Sequence, residues 1–106
     1  MPKYLLQASY SAEGSKGLLK DGGSKRLSAA RTLVESLGGK IESAYFAFGA
    51  TDVLVIIDMP DNASAAAASL TIAGSGALTG KVTVLLTPEE LDQASRKSGK
   101  YTPPGR

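Results

Sequence analysis

The 106-residue sequence contains no cysteine and no histidine. Without cysteine there are no disulfides and no thiolate chemistry, and the redox compartment leaves no mark on the chain. Without histidine the commonest metal ligand, the usual haem ligand and the usual general base near neutral pH are all missing. The expectation is a protein with no metal and no cofactor. Long apolar runs are missing too, since none approaches the roughly 20 residues that span a bilayer. The first residues, Met1 to Tyr4, lack the apolar segment of a signal peptide, so the expectation is a cytoplasmic protein with no membrane partner. Charge of one sign is scarce: a net charge of +2 is too small to argue for a nucleic-acid partner.

What remains is an ordinary globular balance of 42% hydrophobic and 21% charged residues. A chain of this length buries about two-thirds of its unfolded surface and forms one modest core. The stretch from Ala44 to Asp58 organises it. Two apolar runs flank a turn marked by Gly49 and closed by Asp52, which reads as a β-hairpin with Val53 to Ile57 as its second arm.

Around that hairpin the chain divides into recognisable elements. Tyr4, Leu6, Ala8 and Tyr10 share one parity and predict a first strand over Tyr4 to Tyr10. Ser11 to Gly23 carries four glycines and reads as loop, with Leu18 and Leu19 anchoring it. Ser24 to Leu37 has the apolar spacing of a helix through Leu27, Ala30, Val34 and Leu37, and Gly38-Gly39 ends it. Lys40 to Phe48 is a second strand. Met59-Pro60-Asp61 stops the third, because proline cannot continue a strand ladder. Asp61 or Asn62 caps an alanine-rich helix from Ala63 to Ala73. Leu78 to Thr87 reads as a fourth strand with a bulge at Gly80. Thr87, Pro88 and Glu90 form a helix start with a capping box. The expected organisation is a folded domain over residues 1–87, followed by a C-terminal helix and flexible tail over 88–106.

The order β-α-β-β-α-β favours an α+β, ferredoxin-like fold with an antiparallel four-stranded sheet, plus the short C-terminal helix. Strands one and three are then central and the helices cover one face. Strand three, however, is apolar on both parities: Val53, Val55 and Ile57 on one, Leu54 and Ile56 on the other. A solvated face shows cleaner alternation. The expectation is therefore self-association, most simply a two-fold homodimer that buries the second face.

These features resemble the GYD-domain family, small proteins of the dimeric α+β barrel type. The resemblance rests on the helix end at Gly39, the Tyr45-Phe46 strand and the turn Phe48-Gly49-Ala50-Thr51-Asp52 with its apolar strand. Pro60-Asp61, the alanine-rich helix and Gly76 before the last strand add to it. It runs from Lys3 to Thr87. The family signature is glycine, any residue, tyrosine, aspartate; Gly49 and Asp52 match it, and Thr51 stands at the tyrosine position. The resemblance implies the fold and self-association, and no established activity.

Several side chains are candidates for a site. Asp52 and Asp58 share the parity of Leu54 and Ile56; an enclosed carboxylate there would act as a base, whereas at strand ends aspartates bond turn amides. Tyr4, Tyr10, Tyr45, Phe46 and Phe48 either line an apolar cavity or pack in the core and interface. The run Gly14 to Arg26 joins glycines and cations, including Lys25 and Arg26, to a helix start that suits an anion, or else is a solvated loop; it does not match a P-loop. Lys97, Lys100 and Arg106 make a solubilising basic tail. For ligand binding the residues singled out are Tyr10, Tyr45, Phe46, Asp52, Lys25 and Arg26. The leading expectation is an oligomeric barrel that binds a small molecule or a partner protein. The alternatives are a cofactor-free oxygenase or isomerase acting through Asp and Tyr, and a purely structural module.

Overall fold

The alternation of apolar residues in the first strand decides which side of the sheet becomes the core. The computed structural model describes residues 1–106. Its elements are β1 (Lys3–Tyr10), α1 (Ala12–Asp21), α2 (Gly23–Ser36), β2 (Lys40–Phe46), β3 (Val53–Asp58), α3 (Asn62–Gly74), β4 (Leu78–Leu85) and α4 (Pro88–Ser95). The strands form one sheet in the order β2-β3-β1-β4, and every neighbouring pair is antiparallel. This is the ferredoxin-like α+β arrangement that the element order implies, with β1 and β3 in the centre.

Tyr4, Leu6 and Ala8 of β1 pair with Ile57, Val55 and Val53 of β3, so these side chains share one face. Helices α2 and α3 cover that face: Val34 and Ala65 join Tyr4, Leu6, Val55, Ile57 and Met59 in the buried core. The Tyr4 hydroxyl donates to Asn62 Oδ1 at the start of α3, which satisfies its only polar group on burial. Asp61 caps α3, its side chain accepting from the Ser64 amide at 2.8 Å. The Ser64 amide bond, and less strongly its side chain, hold the Asp61 carboxyl below its ordinary range. Helix α2 ends as the glycine pair requires. Gly38 has φ +85°, and the Gly38 and Gly39 amides donate back to the Glu35 and Val34 carbonyls.

Two expectations are corrected. The segment after β1 is not a loop: Ala12–Asp21 is a helix, with Ser11 as its N-cap accepting from the Gly14 amide. Its glycines are not loop glycines. A methyl at Gly14 would collide with the Ala77 carbonyl oxygen and stand 3.0 Å from Tyr10 Cδ1, so the glycine lets α1 seat against the turn before β4. Gly80 likewise forms no bulge. It pairs in register with Ala8, and a Cβ there would lie 2.9 Å from the Gln7 carbonyl oxygen. The irregularity sits instead in β2, between Ile41 and Ser43.

The capping box at Thr87 and Glu90 forms, but α4 contains no buried residue. Residues 86–102 are exposed throughout. The radius of gyration is 16.9 Å, against about 13 Å expected for a compact domain of this length, as a projecting C-terminal arm requires.

Candidate functional site

The register separates two surfaces of different chemistry. The uncovered face of the sheet carries Leu5, Gln7 and Ser9 from β1, Leu54 and Ile56 from β3, Ser43 and Tyr45 from β2, and Thr79, Lys81, Thr83 and Leu85 from β4. Leu5 stands opposite Ile56, and Leu54 opposite Tyr45. The result is an apolar centre with polar groups around it, and no helix of the chain packs on it. None of these residues is buried, and Tyr45 is 71% exposed. At one end of this face Asp58, only 6% exposed, accepts from Lys3 Nζ at 2.8 Å. Glu42 lies 3.3 Å from the same nitrogen. The hydrogen bond to Asp58 is the main cause that raises the Lys3 pKa above its ordinary value, with burial opposing it and Glu42 adding to it.

On the helix side, a cleft of about 520 Å³ opens between α2 and the sheet. Its floor is formed by Leu6, Ala8, Ala44, Phe46, Val53 and Val55. Leu27, Ala29, Ala30 and Leu33 of α2 stand over it. The cause is visible in the residue types. Ala29 and Ala30 of the helix and Ala8 and Ala44 of the strands all line it, and methyl groups are too short to fill a gap that larger side chains would close. The lining residues that are not apolar, Gly23, Ser24 and Arg26, all lie in the first turn of α2. Arg26 Nη1 is 3.8 Å from Asp21 Oδ2 and Lys25 Nζ is 3.6 Å from Asp21 Oδ1. A guanidinium has five N–H donors, so one ion pair leaves most of its capacity unused.

A shallower groove adjoins the cleft, lined by Tyr10, Leu18, Phe46, Phe48 and Asp52 among others. Phe46 borders both. Its ring lies so close to α2 that a Cβ at Gly23 would stand 2.9 Å from it.

The structure brings Tyr10, Tyr45, Phe46 and Arg26 to the cleft and leaves Lys25 and Asp52 off its lining. Tyr45 contributes at the edge strand rather than on the floor, given its pairing with Leu54. Asp52 has structural partners: its Oδ2 accepts from the Tyr10 amide at 2.8 Å, and its own amide donates to the Ala8 carbonyl at 2.9 Å. These bonds clamp the hairpin turn onto the end of β1. Tyr4 is in the core and Phe48 is fully exposed. Along Gly14 to Arg26, the cations Lys25 and Arg26 converge on Asp21. No group of three or more acidic residues is placed to hold a metal ion, and no helix is long and apolar enough to cross a membrane. In the sequence, Leu27 and Ala30 belong to the apolar stripe of a helix and do not stand out as a site. The signal for the cleft was the set of alanines on facing elements, which becomes readable only once the elements are paired.

A family model described as the GYD domain matches residues 4–95. No curated protein and no solved structure matches the chain.

Proposed function

This chain belongs to the GYD-domain family, and from that premise we propose that it works as a self-associating small-molecule-binding protein, most simply a homodimer with the uncovered sheet faces together. One observation carries the reading: Leu5, Tyr45, Leu54 and Ile56 form an apolar patch on a sheet face that no helix of the chain covers. An apolar centre inside a polar rim is the anatomy of an interface. The occupant is a second copy, because a two-fold contact presents the same patch to itself and leaves no unmatched charge at the centre.

The areas support an arm in the contact as well. Strands about 4.8 Å apart, six to eight residues long at about 3.3 Å each, give this four-stranded face about 450 Å². A standard interface needs about 800 Å² per partner. The exposed residues 86–102, with Leu86, Leu91 and Tyr101, extend the apolar surface beyond the sheet and make up the difference. Asp52 and Asp58, the carboxylates suited to an acid–base role, are engaged by the Tyr10 amide and by Lys3, which favours binding over catalysis.

Light scattering coupled to size exclusion tests the reading. The expected mass at micromolar concentration is twice the 10.9 kDa of the chain, and Ile56→Lys returns it to one chain while retaining the circular dichroism spectrum. A monodisperse monomer of the unsubstituted protein would remove the assembly.

A further inference from the structure

We infer that the cleft beneath α2 binds a small molecule with an apolar body and a single anionic end, a free aliphatic or aromatic carboxylate, with the body on the sheet and the carboxylate at Arg26. The inference rests on the reading of this protein as a small-molecule binder, and is independent of association through the opposite face of the sheet.

The cleft has the size of a ligand site: about 520 Å³ lies within the roughly 300–1,000 Å³ of small-molecule pockets. Its walls are mostly aliphatic and aromatic groups, and away from the first turn of α2 the hydroxyls of Tyr10 and Tyr45 are the only side-chain polar groups among them. A polar body would lose its water there with little compensation. The body must therefore be apolar. The polar residues collect at one end, and the charge among them is positive. Arg26 presents a planar fork that matches a carboxylate, and the Ser24 hydroxyl adds a donor. Asp21, which is not on the cleft lining, approaches Arg26 through Nη1 only and is itself shared with Lys25. Arg26 is the one charged group on the cleft lining, and with Lys25 sharing Asp21 behind it the corner carries a net positive charge that attracts an anion.

The geometry also selects for shape. Phe46 closes the cleft against α2 at Gly23 and divides it from the neighbouring groove. A slender body runs along the sheet from Arg26 toward Ile72 and Leu78, whereas one that turns toward the neighbouring groove must displace the Phe46 ring. An exposed ring on an edge strand, 44% accessible, can swing at little cost.

Titration of the full chain with decanoate and with uncharged decanol, followed by amide chemical shifts, tests this. Decanoate is expected to shift Leu27, Ala30, Leu33 and Ala44 and to bind more tightly than decanol. Arg26→Gln, at a half-exposed position where folding is not at stake, weakens decanoate about tenfold, the worth of one charge-assisted bond, and leaves decanol unchanged. Ala30→Leu, which adds bulk beside the floor, excludes both. Equal affinity for the two probes, binding of neither, no effect of Arg26→Gln, or shifts confined to Leu54 and Ile56 would each overturn the assignment. The mass of the same samples decides the assembly separately: a monomer that binds decanoate in this way keeps the site and removes the dimer.

Discussion

Two glycines in one helix should respond in opposite ways to the same substitution. Gly17 has nothing within 4 Å of an added Cβ, and it lies inside α1. Replacing it by alanine removes backbone freedom from the unfolded chain and raises stability by about 0.5–1 kcal/mol. Gly14 gains the same propensity term, but its Cβ would strike the Ala77 carbonyl, whose carbon would stand 2.9 Å away. That carbonyl cannot swing aside freely, because it accepts from the Ser11 amide at 2.8 Å and from the Ser11 hydroxyl at 3.2 Å. The helix must retreat or the bonds must stretch. Overpacking of this kind costs about 1–3 kcal/mol, which offsets the propensity gain and leaves a net loss of up to about 2.5 kcal/mol. Thermal unfolding at matched protein concentration reads the difference, at about 4–8 °C per kcal/mol for a domain of this size. Gly17→Ala is expected to raise the midpoint and Gly14→Ala to lower it. Equal gains would show that α1 is not seated on Ala77, and equal losses would show that residues 12–21 are not helical.

Other consequences follow from the same contacts. Met59 is fully buried, and Met59→Ala should cost about 2–5 kcal/mol in urea unfolding, the range for core truncations. Asp52→Ala leaves the Tyr10 amide without its acceptor and should lower stability by about 1–3 kcal/mol, while Asp52→Asn keeps an acceptor oxygen and loses less. The Lys3 pKa is raised above its ordinary 10.5, so its stabilising contribution is complete below that value and is lost as pH rises through the higher folded-state value. Urea midpoints for Lys3→Met should therefore be flatter than wild type in that alkaline window. The Asp61 pKa is lowered from 3.8, so its contribution is present above that value and fades as pH falls through the lower one; Asp61→Ala should flatten the acid limb. In the monomeric Ile56→Lys background, Thr87→Ala should speed amide exchange in α4 with no change in global midpoint, since α4 buries nothing within its own chain.

The parts of the fold that were legible in the sequence are those fixed by near neighbours. The Thr87-Pro88-Glu90 start, the stop at Pro60, the cap at Asp61 and the glycine pair after α2 depend on residues a few positions apart, and each forms as expected. The element order β-α-β-β-α-β specified the sheet order, because crossover geometry leaves few arrangements. Helix α1 was hidden because one of its two glycines, Gly14, answers to Ala77, more than sixty positions away, while Gly17 meets nothing and only weakens the local helix signal. Local statistics read such glycines as loop. Gly80 misled in the same manner: its close approach to Gln7 lies across the sheet. Asp52 was legible as a turn residue, but its acceptance from Tyr10 belongs to a neighbouring strand. The cleft was not legible, because it arises from alanines on separate elements that meet only after folding, and Arg26 joins it only because α2 begins at Gly23.

The central claim is that the Leu5, Leu54 and Ile56 side of the sheet is closed in solution by a second copy. Relaxation of methyl signals by a soluble gadolinium complex reports on it most directly, with Leu70, 72% exposed on α3, as the reference. The account predicts that the Leu5, Leu54 and Ile56 methyls are shielded relative to Leu70 at high concentration, and that the shielding fades on dilution. Leu54 and Ile56 methyls relaxed to the same extent at every concentration, in a species of 10.9 kDa, would contradict it.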